Sequence, residues 1–351
     1  MMPMPMPCPL RAIVLSALAA LASLCVQPAI AQPAVPVPHA APQPAPPSAQ
    51  PGAAQAAAPQ SATAQPAPAR PLPSPAETRM PLPLANGSQI GAHWYPLPPQ
   101  PDAAPRPAVV ALHGCGGLWR SASDTGQRFE ARYTEYIARL HAAGFHVLLP
   151  DSFSARGSGS ICMQKDVERS IKVETRRADV AAAVAWLATQ PTVDARRIVV
   201  LGWSHGGSTT LASIDAGRAG AAQPVAAAVV FYPGCGAFRR APYTLRQPLL
   251  MLLGANDDWT PPAPCEQLTE RLRREQGADV TLRVYADSYH GFDSSAPLRF
   301  RAGVPNGIQA GGVHQGGNPQ ARAAAFAELD AFLARVREVP TAAVLRAPQP
   351  N

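Results

Sequence analysis

The chain has six cysteines but no Cys-x-x-Cys pair, so the spacing on which zinc ribbons and thiol redox sites are built is missing. It also lacks a basic stripe. Its 30 Lys and Arg residues are nearly all Arg and are scattered, so nucleic-acid binding is not expected despite a net charge of +7. No uninterrupted apolar run reaches the roughly 20 residues of a membrane-spanning helix. The N-terminal block Ala12–Val26 stops short, with Pro9 and Pro28 on either side. A stable membrane span, a metal site and a nucleic-acid interface are therefore set aside as expectations.

That N-terminal block follows a single cation, Arg11, and ends in Ala29-Ile30-Ala31. This pattern predicts a secretory signal over residues 1–31 and an exported protein, periplasmic or secreted. Between Gln32 and Pro75 the chain is Pro, Ala and Gln with one charge, Arg70. It cannot bury enough apolar surface to offset its ordering entropy, so residues 32–77 read as a disordered Pro/Ala-rich linker. Residues 78–340 read as one large domain and 341–351 as a disordered tail. Four cysteines remain after signal removal: Cys115, Cys162, Cys235 and Cys265. In an exported protein they make disulfides plausible, and four cysteines allow three pairings.

Within the domain, Ile90–Tyr95, Ala108–Leu112, Phe145–Leu149, Arg197–Leu201, Val225–Tyr232, Leu249–Leu253 and Val280–Tyr285 read as strands. Most are continuous apolar runs, as strands covered on both faces require. Helical spacing is evident over Thr125–Ala143 and Val173–Thr189. Such alternation predicts an α/β fold with a mainly parallel central sheet and helices on both faces. Ligands of such sheets gather beyond the carboxyl ends of the strands.

Several chemically distinctive stretches fall at those ends. Val199-Val200-Leu201-Gly202-Trp203-Ser204-His205-Gly206-Gly207 reads as strand, sharp turn and helix, with Gly-x-Ser-x-Gly at the turn. A serine on such an elbow is lifted out of the sheet. His113-Gly114-Cys115-Gly116-Gly117 ends an earlier strand, Asp257-Asp258-Trp259-Thr260-Pro261 follows a later one, and His290-Gly291-Phe292-Asp293 follows the last. Serine, then aspartate, then histidine is the chain order of α/β-hydrolase triads.

Together with the PDSF-x-x-RG loop at Pro150–Gly157, these motifs resemble the dienelactone hydrolase family of the α/β-hydrolase fold over roughly residues 80 to 338. The resemblance implies Ser204 as nucleophile, His290 as general base and Asp257 as the acid that orients it. Asp257 is preferred over Asp258 because the family sets its acid three residues after the glycine, here Gly254. One departure is Ser204 itself, since the enzyme that names the family uses cysteine. That points to a serine esterase acting on esters or lactones, with no cofactor.

The backbone N–H groups of Cys115 and His205 are the expected oxyanion donors. His113 and the His205 side chain read as structural. The usual strand order of the fold implies disulfides 115–162 and 235–265. Arg156 reads as a ligand for a substrate carboxylate or as a loop brace. Trp203, Trp259, Trp119 and Phe292 read as an apolar acyl pocket or as core. The glycine-rich stretch from Asp293 to Gln320, with Arg299, Arg301 and His314, reads as a mobile cover over the site. A peptidase or acyltransferase using the same triad, and a non-catalytic envelope-associated binding protein, remain alternatives. Oligomeric state is not legible.

Overall fold

A computed structural model describes residues 76–101, 103–121 and 128–338. The signal, nearly all of the Pro/Ala-rich linker and the tail lie outside the described residues. In chain order the elements are β1 (Thr78–Pro83), β2 (Gln89–Tyr95), β3 (Arg106–Leu112), α1 (Ala131–Ala142), β4 (His146–Asp151) and α2 (Val173–Ala188). There follow β5 (Val193–Trp203), α3 (His205–Ile214), β6 (Ala227–Phe231), β7 (Leu249–Gly254), α4 (Ala263–Gln276) and β8 (Val280–Tyr285). A hairpin, β9 (Arg299–Ala302) and β10 (Gly312–Gln315), precedes α5 (Pro319–Glu338).

The main sheet has the order β1-β2-β4-β3-β5-β6-β7-β8. The first two strands join antiparallel, and every pair from β4 to β8 is parallel. Period-two geometry sends alternate side chains to opposite faces. Val109, Ala111, Val199 and Leu201 pack on one face with Tyr136 of α1 and Leu329 of α5. Ala108, Val110, Ile198 and Val200 pack on the other with Val180 and Val184 of α2. Further along that second face, Ala228, Val230, Leu249 and Met251 meet Leu211 of α3 and Leu268 of α4. Helices therefore cover both faces, which is why the central strands read as unbroken apolar runs.

Two expectations about elements change, and one strand was not anticipated. The first helix begins at Ala131, because Phe129 forms a β-bridge with Trp119 and Glu130 is extended, at ψ 137°. The stretch after His290 contains the β9–β10 hairpin and the start of α5, where a mobile cover was expected. β1 gave little signal because Pro81 and Pro83 interrupt it, and they are tolerated on an edge strand.

Cys115 pairs with Cys162 and Cys235 with Cys265. The first bond ties the turn after β3 to the loop after β4. The second ties the loop after β6 to α4. No helix among the described residues is long and apolar enough to cross a membrane.

Candidate active site

Ser204 sits between β5 and α3 at φ 53° and ψ −118°, a conformation that non-glycine residues rarely adopt. The packing around it explains the glycines two residues away on each side. A Cβ on Gly202 would lie 2.3 Å from the Gly206 carbonyl oxygen, and one on Gly206 would lie 2.0 Å from that of Leu112. With both positions bare, β5 and α3 approach closely enough to force the strained serine outward. Its backbone N–H donates to Phe231 on the neighbouring strand (2.9 Å), which anchors the turn.

His290 follows β8 and turns back at Gly291, φ 74°. Its Nε2 lies 2.9 Å from Ser204 Oγ and its Nδ1 lies 2.8 Å from Asp257 Oδ2. The arrangement fits Nδ1–H donating to the carboxylate and the serine hydroxyl donating to Nε2. Asp257 is in turn fixed, since its Oδ1 accepts the backbone N–H groups of Trp259 (2.9 Å) and Thr260 (2.8 Å). The Thr260 hydroxyl stands 3.0 Å from Asp257 Oδ2. The imidazole is enclosed by Tyr232 and Trp259, each with its ring centre 4.6 Å away. Chain segments 86 residues apart thus meet at one sheet edge.

Asp258 faces another way. Its carboxylate accepts the His314 backbone N–H (2.9 Å) and meets His314 Nδ1 at 2.7 Å, clamping β10 to the loop after β7.

The turn after β3 passes beside the serine, so that a Cβ on Gly114 would lie 3.5 Å from Ser204 Cβ. Cys115 is held from two directions. Its carbonyl accepts the Ile161 N–H (2.9 Å) and the Ser160 hydroxyl (3.3 Å), and its Sγ is bonded to Cys162. The His205 N–H belongs to the first turn of α3, where helix geometry leaves donors unpaired. The turn after β3 and the first turn of α3 therefore both adjoin Ser204.

Neither His113 nor His205 bonds to the serine hydroxyl. His205 Nδ1 accepts from Arg176 (3.0 Å), and burial together with that guanidinium holds its pKa well below the ordinary value. His113 donates to the Gly114 carbonyl (2.8 Å) while its Nε2 accepts from Ser152 N (3.3 Å). Burial, with Arg176 adding to it, pushes its pKa down to about 3. Both rings are neutral at physiological pH. Arg176 itself is fully buried, with Nε and Nη2 unpaired, and burial lowers its pKa to about 10.

Three candidate substrate contacts are corrected. Arg156 forms a two-pronged pair with Asp179 (2.7 and 2.8 Å) and donates to the Ser152 carbonyl, so its fork is spent bracing the loop after β4. Trp203 packs among Tyr133, Tyr136 and Phe231 in the core. Phe292 is fully buried in the same cluster. Trp259 remains at the site.

Two cavities meet at Ser204. One of about 410 Å³ runs toward Phe238 and Val173, and one of about 240 Å³ runs past His290 toward Arg301. Sequence reasoning missed Tyr232, Tyr136 and Arg132, which converge on Asp293 beneath the histidine loop. Only the aspartate carried a signal, as the end of the HGFD run. No group of three or more His, Cys, Asp or Glu side chains among the described residues could hold a metal ion.

Residues 97–336 match the dienelactone hydrolase family. Esterase 2 of Thermogutta terrifontis is similar in fold, with TM-score 0.52 and 17% identity over 76% of this chain and 96% of that one. A dienelactone hydrolase-like promiscuous phosphotriesterase, P91, from metagenomic libraries has TM-score 0.50 and 18% identity over 74% and 99% of the two chains. Acylamino-acid-releasing enzyme 1 of Oryza sativa subsp. japonica is 23% identical over 256 residues, 60% of this chain and 32% of its own length. The chain spans at most about a third of the curated relatives it matches.

Proposed function

Because the chain belongs to the dienelactone hydrolase family, we propose that it is an exported serine hydrolase that cleaves carboxylic ester or lactone bonds through an acyl-enzyme. The single observation that carries this reading is the hydrogen-bonded line from Ser204 Oγ to His290 Nε2 and from His290 Nδ1 to Asp257. A serine hydroxyl is a weak nucleophile until a base accepts its proton. Ser204 Oγ attacks the acyl carbon as its proton passes to His290 Nε2. The oxyanion accepts the N–H groups of Cys115 and His205, and Asp257 stabilises the imidazolium.

Collapse expels the alcohol oxygen, which takes the proton from Nε2. Water then enters, gives a proton to Nε2 and attacks the acyl carbon. The second collapse returns that proton to Ser204. For a lactone the expelled oxygen stays tethered to the acyl group as a hydroxyl, and the water step releases a hydroxy acid.

The assignment of residues 1–31 to a signal, 32–77 to a linker, 78–340 to the catalytic domain and 341–351 to a tail belongs to the same reading. Both disulfides suit an oxidising compartment outside the cytosol. A small-molecule ester or lactone is the partner this reading requires. The likeness to an acylamino-acid-releasing enzyme raises amide cleavage, which an anilide matched to an ester of the same acid tests directly. Stoichiometric labelling by a fluorophosphonate, lost in Ser204→Ala, is the expected result. Labelling that persists in Ser204→Ala overturns the assignment.

A further inference from the structure

We infer that the larger cavity takes the acyl group and the smaller one the alcohol, which makes the preferred substrate an ester of an apolar, mid-length acid with a small polar alcohol. The inference rests on Ser204 being the nucleophile. Both cavities include Cys115, Ser204 and Trp259 in their walls, so a bound ester straddles the serine. His290 lines only the smaller one and His205 only the larger.

At the tetrahedral carbon one bond goes to Ser204 and one to the oxyanion, which points at the N–H groups of Cys115 and His205. The departing oxygen must lie within hydrogen-bond reach of His290 Nε2 to receive its proton. That confines the alcohol to the side His290 lines. The acyl chain takes the remaining direction, into the larger cavity.

The walls agree with this division. The larger cavity is faced by Val173, Ala237, Phe238, Ala241 and Pro242. Its rim charges are answered within the protein, with Arg169 on Asp166 (2.5 Å) and Arg218 on Glu174 (2.7 Å), while Lys172 is solvent-exposed. At the roughly 30 Å³ occupied by one water, its volume admits roughly a dozen heavy atoms. The smaller cavity admits roughly eight and is polar. Arg301 enters it over Trp259, donates to Gln315 (2.7 Å) and has no carboxylate partner among the described residues. Arg132, Glu130 and Arg120 also line it, beside Trp119, Tyr133 and Tyr232.

Two isomeric esters of equal composition, methyl octanoate and heptyl acetate, test the division in the full chain. Methyl octanoate should show the higher kcat/KM by roughly tenfold or more, and equal or reversed values overturn the inference. Gly236 lines the larger cavity and Gly116 the smaller, and a Cβ on either would meet nothing within 4 Å. Gly236→Phe should flatten the dependence of kcat/KM on acyl length, and Gly116→Phe the dependence on alcohol length. An exchange of those two effects, or wild-type dependence on both chain lengths kept in both variants, also refutes it. Fluorophosphonate labelling at Ser204 run alongside separates the cases. If labelling is intact while the specificity is reversed, only the cavity assignment falls; if wild-type labelling is absent, the hydrolase reading falls with it.

Discussion

Gly206→Ala changes one hydrogen to a methyl and should nevertheless disable the enzyme. The new Cβ would stand 2.0 Å from the Leu112 carbonyl oxygen and 2.6 Å from that of His113. The first is about 1.4 Å inside the 3.4 Å at which ordinary contact begins. Both obstacles are backbone atoms at the end of β3, a strand hydrogen-bonded on two sides, so no side-chain rotation relieves the overlap. Relief requires α3 and the elbow to draw away from β3 by about an ångström. That motion carries Ser204 away from the Cys115 turn and opens its 2.9 Å contact with His290.

A misplacement of about 1 Å at reacting groups costs roughly 100-fold in rate. Overpacking a rigid site costs about 1–3 kcal/mol of stability. Gly236→Ala, whose Cβ meets nothing within 4 Å, is the stability control. Denaturant melts and kcat on a nitrophenyl ester measure the two effects. A Gly206→Ala protein with wild-type melting and wild-type kcat would show that the glycines do not force the elbow.

Three other outcomes are expected. Asp257→Asn should lower kcat by about 10³–10⁴-fold, whereas Asp258→Asn should loosen the hairpin through His314 and cost far less; steady-state kinetics giving the reverse ranking would mean that the acid is misassigned. His146 accepts the Leu97 N–H at Nδ1 (2.9 Å) and meets the Thr192 carbonyl at Nε2 (3.0 Å), and burial, the largest effect, pushes its pKa down to about 4. The unfolded chain therefore binds a proton that the folded one refuses, so stability should fall as pH drops from 6.5 toward 4, with a slope that His146→Asn reduces in urea titrations. Removing the Cys115–Cys162 or Cys235–Cys265 bond, which close spans of 47 and 30 residues, should each cost about 3.5–4 kcal/mol in the chain-entropy estimate; unchanged denaturation midpoints after reduction would contradict it.

The parts of the site that were readable in advance are those written in local chemistry. Gly-x-Ser-x-Gly specifies a turn tight enough to exclude side chains, and apolar runs without alternation specify strands covered twice. Ser204, Asp257 and His290 stood at strand ends for that reason, before any distance between them was known. Arg156 shows the limit. An arginine in a loop has the same sequence signature whether it holds a ligand or braces its own chain, and only the position of Asp179 on α2 decides.

The same holds for Trp203 and Phe292. Their proximity in sequence to Ser204 and His290 says nothing about which way they turn, and both turn into the aromatic core. The hairpin after His290 is short, glycine-rich and without regular alternation, so the sequence offered no period to detect. It is held by Asp258 reaching His314 across 56 residues.

Composition and spacing alone determined the fold class, the export signal as an expectation, and the residue types able to form and break an ester bond. Tertiary structure decided which acid faces the histidine, which cysteines bond, and that two cavities of unlike polarity open on either side of one serine. The division follows from range. Backbone geometry and period act over a few residues and leave their mark in the order of letters, whereas a hydrogen bond or a cavity wall joins segments whose separation along the chain carries no information about their distance in space.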